Sequence, residues 1–137
     1  MLLSEYQPVP ALVTPQTKVD RPRFPVIDAH NHLSEFDGRR KGRSLQELLD
    51  EMDASGVTKL VDLDGGWGEQ ILQDHLDRLK AAAPDRFMMF GGVDWKAWPE
   101  HGDRFGEWAA GRLREQARWG AQGFKIWKPL GLQVRDH

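Results

Sequence analysis

Residues 25–66, PVIDAHNHLSEFDGRRKGRSLQELLDEMDASGVTKLVDLDGG, read as one strand–helix–strand unit. Val26 to His30 is an apolar run of strand length that starts just after Pro25. Ser44-Leu45-Gln46-Glu47 has the spacing of a capping box, and Leu45, Leu48, Leu49 and Met52 recur at helical intervals, so a helix starts there with one buried face. Gly56 fits the left-handed position that ends such a helix. Val57 to Leu63 is again strand-like and stops at Gly65-Gly66.

The same alternation continues outward. A second helix carries Ile71, Leu72, Leu76 and Leu79 and stops before Pro84, and Arg86 to Val93 is a third strand. A third helix over roughly Asp103 to Trp119 buries Phe105, Trp108, Ala109 and Leu113, and Gly123 to Trp127 is the fourth strand. The order βαβαβαβ calls for an α/β fold with parallel strands and right-handed crossovers. Two architectures satisfy it: a small open doubly wound sheet, or the first four strands of a (β/α)₈ barrel. Residues 1–24, with Pro8, Pro10, Pro15 and Pro22 and little periodicity, form an extended lead, and the domain occupies residues 25–137.

Composition narrows the function classes. At 137 residues with 39% hydrophobic and 29% charged residues, the chain suits one globular domain, and a net charge of -2 argues against a nucleic-acid or membrane surface. There is no cysteine, so any metal must be held by nitrogen and oxygen. Met1 to Ala11 does not read as a signal peptide, because its apolar start is very short and Glu5 stands where a positive charge belongs. No apolar run approaches the ~20 residues of a membrane span, so a soluble, cytoplasmic protein is expected.

Functional groups of such folds collect at the C-terminal ends of strands. Here those ends carry His30 and His32, then Asp62 and Asp64, then Asp94 with Trp95, then Lys125 with Lys128. Two histidines two residues apart on a strand share a face and can converge on one ion. Asp28 has the same parity, so its carboxylate is placed to fix an imidazole tautomer. Asp62 and Asp64 share a face, and either can orient a water or a histidine or cap the next helix. Phe124 and Ile126 are assigned to the helical layer, which turns Lys125 inward. There Lys125 can lie along the mouth, pair with Asp62, Asp64 or Asp94, meet an anionic substrate, or become a carbamate ligand. The basic run Arg39, Arg40, Lys41 and Arg43 can be solvated or steer an anion, and Trp67, Trp95, Trp98 and Trp127 can clad a cleft or pack the core. His101 lies in the loop after the third strand, and His75 and His137 read as bystanders.

Four ordered segments, IDAHNHL, LLDEMDASGVTKLVDLDGGWG, PDRFMMFGGVDW and GAQGFKIWKPLGLQVRD, together resemble the amidohydrolase superfamily, specifically its amidohydrolase-related branch. The resemblance spans about residues 20–136 and implies the N-terminal half, (βα)₃β, of a metal-dependent TIM (β/α)₈ barrel. It implies that His30 and His32 are first-strand ligands of a divalent ion, zinc being expected, and that Lys125 is the catalytic lysine at the fourth strand. The implied activity is hydrolysis of an amide, ester or lactone of a small-molecule substrate by metal-activated water, with decarboxylation as the alternative. The family's later ligands, a histidine and an aspartate, come from strands beyond the fourth. The expectation is therefore a fragment inactive on its own, or a non-catalytic half-barrel that self-associates through its open edges.

Overall fold

The computed structural model describes residues 2, 5–9, 11–33, 44–128 and 130. Four strands, β1 (Val26–Asn31), β2 (Val57–Gly65), β3 (Phe87–Gly91) and β4 (Gly123–Phe124), pair in parallel in the order β1-β2-β3-β4. Helices α1 (Leu45–Ser55), α2 (Glu69–His75), the four-residue α3 (Trp98–His101) and α4 (Phe105–Trp119) lie between them. Sequential strand order with crossovers of one hand places the helices on one face of the sheet. The product is a curled, half-barrel parallel sheet rather than a doubly wound one, whose strand order would reverse.

The local signals work as physical chemistry dictates. Ser44 Oγ accepts the Glu47 N–H at 3.2 Å and Glu47 Oε2 accepts the Ser44 N–H at 2.6 Å, closing the capping box of α1. Gly56 ends α1 at φ +72°, where a Cβ would also lie 2.8 Å from the Pro22 ring. Leu60, Phe87 and Met89 of the sheet pack with Met52, Leu72 and Leu79 of the helical layer into the main core. Val93, Phe105 and Ala109 form a second cluster, with Trp95, Trp108 and Leu113 against it.

Several boundaries differ from expectation. The second strand runs on past Leu63 to Gly65, so Asp64 as well as Asp62 is inside a buried strand rather than beyond its end. The fourth strand is only Gly123–Phe124, although the Lys125 N–H still donates to Gly91 O at 2.8 Å. Phe124 and Ile126, assigned to the helical layer, are instead 41% and 65% exposed, because among the described residues no helix covers that face of the edge strand. Val26 and Ile27 on the opposite edge are exposed as well. The basic run Arg39, Arg40, Lys41 and Arg43 and the terminal His137 lie outside the described residues.

Register slips mark the ends that carry the polar residues. Asp28 pairs with Leu60 and Asn31 with Asp62, so β1 advances three residues while β2 advances two. Asp62 pairs with Met89 and Gly65 with Gly91, and there β2 advances three against two on β3. Such bulges bend a strand and re-aim its side chains. No described helix is long and apolar enough to cross a membrane.

Candidate functional site

The end of β1 presents the two histidines with their ring centroids 5.4 Å apart in an edge-on arrangement. His30 is exposed and His32 half-buried. Nδ1 of His32 lies 2.6 Å from Oδ1 of Asp64, at the end of the neighbouring strand. A carboxylate only accepts, so Nδ1 carries the proton, and in a neutral imidazole this places the lone pair on Nε2. A neutral histidine whose Nδ1–H is tied to a carboxylate is the form that ligates a metal through Nε2. The face of His32 is covered by Trp127 at 5.5 Å, which in turn meets Trp67 at 3.9 Å.

Behind this contact lies a second buried pair. Asp62 Oδ2 is 2.6 Å from Nδ1 of His75, the last residue of α2, while Asp62 Oδ1 accepts the N–H groups of Leu33 and Asp64, both at 3.3 Å. His75, expected to be a bystander, is thus only 2% exposed. Its distance of three residues from Leu72 and four from Leu79 was the available signal, since that spacing puts it on the apolar face of the helix. Asp62, Asp64 and His75 offer donor atoms all within 4.8 Å of one another. The 2.6 Å contact between Asp62 and His75 fits a shared proton better than two ligands of one ion, which tetrahedral geometry with bonds of about 2.0 Å would hold about 3.3 Å apart.

Asp28 has a different task from the one its parity suggested. The register slip breaks the alternation beyond it, and its carboxylate accepts the His30 backbone N–H at 3.1 Å and the Asn31 amide at 2.8 Å. It fixes the end of β1 that bears His30 rather than an imidazole. Asp94 is exposed, caps the turn Trp95–Ala97 through the Lys96 N–H at 3.0 Å, and lines a cleft beside the sheet end. Lys125 is half-buried beside Gly66, where a Cβ would come within 3.3 Å of its own Cβ. Lys128 is exposed, and His101 stacks on Trp108 at 4.4 Å instead of turning toward the histidine pair.

The cleft of about 560 Å³ is walled by Trp67, Trp95, Trp108 and Trp127, with Glu69 and Arg112 among its polar lining residues. Arg112 Nε donates to Glu69 Oε1 at 2.7 Å and its Nη2 pairs with Oε2, a two-pronged contact that joins α2 to α4. That hydrogen bonding holds the Glu69 carboxyl below its ordinary range and raises Arg112. Gln116, 1% exposed, donates to Glu69 Oε1 at 3.0 Å and to Gly92 O at 2.8 Å, and its Oε1 accepts the Gly92 N–H at 3.0 Å. None of these three was singled out from the sequence, although Gln116 falls in the helical stripe begun by Phe105 and Ala109. The chain matches no protein-family model, no curated protein and no solved structure.

Proposed function

We propose that the chain forms the first half, (βα)₃β, of a metal-dependent (β/α)₈ barrel of the amidohydrolase type, with His30 and His32 as two ligands of a divalent ion, zinc for preference. The observation that supports this reading is the 2.6 Å bond from Asp64 to Nδ1 of His32, which leaves Nε2 to coordinate beside the ring of His30. An ion held there would polarise a carbonyl and supply a nucleophile from water near neutral pH, the chemistry that hydrolyses an amide, ester or lactone. The chain's own residues do the rest. Asp64 orients His32, Asp28 holds the backbone of His30, Trp127, against which Trp67 packs, covers one face of His32, and Lys125 stands at the end of the fourth strand to meet a small-molecule substrate. Carboxy-lyase chemistry on a metal-held acid would use the same ligands and is the alternative reaction.

Calorimetric titration of the purified chain with Zn(II), followed by a panel of amides, esters, lactones and carboxylic acids, tests the proposal. One ion per chain is expected, released by His30→Ala or His32→Ala, with no robust turnover because two histidines fall short of the usual three protein ligands. Binding that ignores both substitutions, or no binding at all, would remove the reading. A second reading, a non-catalytic half-barrel that closes against another copy, is favoured by one observation. The exposed large apolar side chains of the strands, Val26, Ile27 and Phe124, lie on the two edges. Light scattering decides it: a strictly monomeric chain with cooperative unfolding sinks the pairing.

A further inference from the structure

Burying a strand carboxylate and a helix imidazole between the sheet and the helical layer is costly unless each is fully partnered. Asp62 and His75 meet that condition through a particular arrangement. One oxygen of Asp62 accepts two backbone N–H groups, from Leu33, which follows His32 directly, and from Asp64, the residue that grips the His32 ring. The other oxygen is taken by Nδ1 of His75. Both chain segments that meet in the His32–Asp64 bond are therefore anchored on a single carboxylate group. That group in turn is held in place from the helix behind the sheet. Directly after His75 the helix widens into a π turn, Leu76–Lys80, closed by the Ala81 N–H on Leu76 O at 2.8 Å. Single π turns inside helices recur at functional sites.

We propose that Asp62 and His75 are positioning residues for His32: they lock Asp64 against its Nδ1 and so hold the ring with Nε2 turned toward the ion. The inference rests on the reading that His30 and His32 bind a divalent metal. It adds a claim that reading does not contain, namely that a residue 43 positions away on the buried side of α2 sets the ligand's tautomer and hence its affinity. An apolar residue at position 75 would fill the same core space, so packing alone does not call for histidine there.

The experiment combines Co(II) titration with long-range ¹H–¹⁵N spectra of the histidine rings, on the wild type, His75→Leu and His75→Asn. Removing an outer partner of a metal ligand commonly weakens binding about 10–100-fold, and a loss of that size is expected for His75→Leu. His75→Asn, whose amide can donate from near the Nδ1 position, should recover most of the affinity. Without metal, His32 should be the Nδ1–H tautomer in the wild type and His75→Asn, and a tautomer mixture in His75→Leu. A folded His75→Leu with wild-type affinity and an unchanged His32 tautomer would overturn the proposal. Should neither variant fold, Zn(II) titration of the wild type still decides: the His75 ring signals must shift as the ion saturates, and unmoved signals overturn it. Failure of the underlying metal reading looks different, because wild-type binding is then absent or indifferent to His30→Ala, while the metal-free tautomers continue to report on His75.

Discussion

Replacing Gln116 with leucine tests how the cleft is held together. The substitution keeps approximate volume but removes every hydrogen bond the side chain makes to Gly92 and Glu69. Glu69 retains Arg112, so its loss is small. Gly92 is buried, and its N–H and C=O each lose the partner Gln116 provided. An orphaned buried polar group costs about 1–3 kcal/mol, so two of them cost about 2–6 kcal/mol. The leucine recovers part of this because a buried amide no longer has to leave water, which brings the expected net to about 2–4 kcal/mol. Against a total stability of roughly 5–15 kcal/mol that is a large fraction, and it corresponds to a fall in Tm of about 10 °C. Urea unfolding followed by circular dichroism measures it, with the m-value as the check that the unfolded state is unchanged. A loss under about 0.5 kcal/mol at constant m would refute the reasoning, since Gly92 would then have to be satisfied equally well by water.

Other consequences follow from single contacts. Gly66→Ala would set a Cβ 2.5 Å from Trp127 Nε1, so the indole must move off His32; a shifted tryptophan emission and weaker Zn(II) binding are expected, and an unchanged spectrum would contradict the packing. Ser44→Ala removes the capping box of α1 and should cost about 1 kcal/mol in chemical denaturation. Arg112 lowers the Glu69 pKa in the folded state, so this pair stabilises fully above the ordinary glutamate range. The stability difference between wild type and Glu69→Gln should therefore shrink as pH falls below about 4.3 and through the lowered folded value, whereas a difference independent of pH would show that the charge is not involved.

Much of the fold was legible because its signals are local. The Ser44 to Glu47 box, the stripe Leu45, Leu48, Leu49 and Met52, and the left-handed Gly56 each depend on residues within a few positions, and all three reappear in the structure. The order of strands and helices followed from the same periodicities. Where the expectation failed, the deciding neighbour was distant. Phe124 and Ile126 have the spacing of a buried face, but burial requires an element to cover them, and periodicity carries no information about whether one is there. Asp28 was assigned to the histidines by strict alternation, and one extra residue in β1 was enough to give it to the backbone instead.

The sequence by itself determined an α/β alternation and placed His30 and His32 where a strand ends, because backbone geometry makes two residues of spacing a shared face. Tertiary structure alone decided which partners they have. Asp64 reaches His32 across 32 residues, and His75 enters the network through Asp62, because β2 pairs alongside β1 and α2 packs back onto β2. The state of an imidazole is set by what its other nitrogen touches, and that contact exists only once the strands have paired.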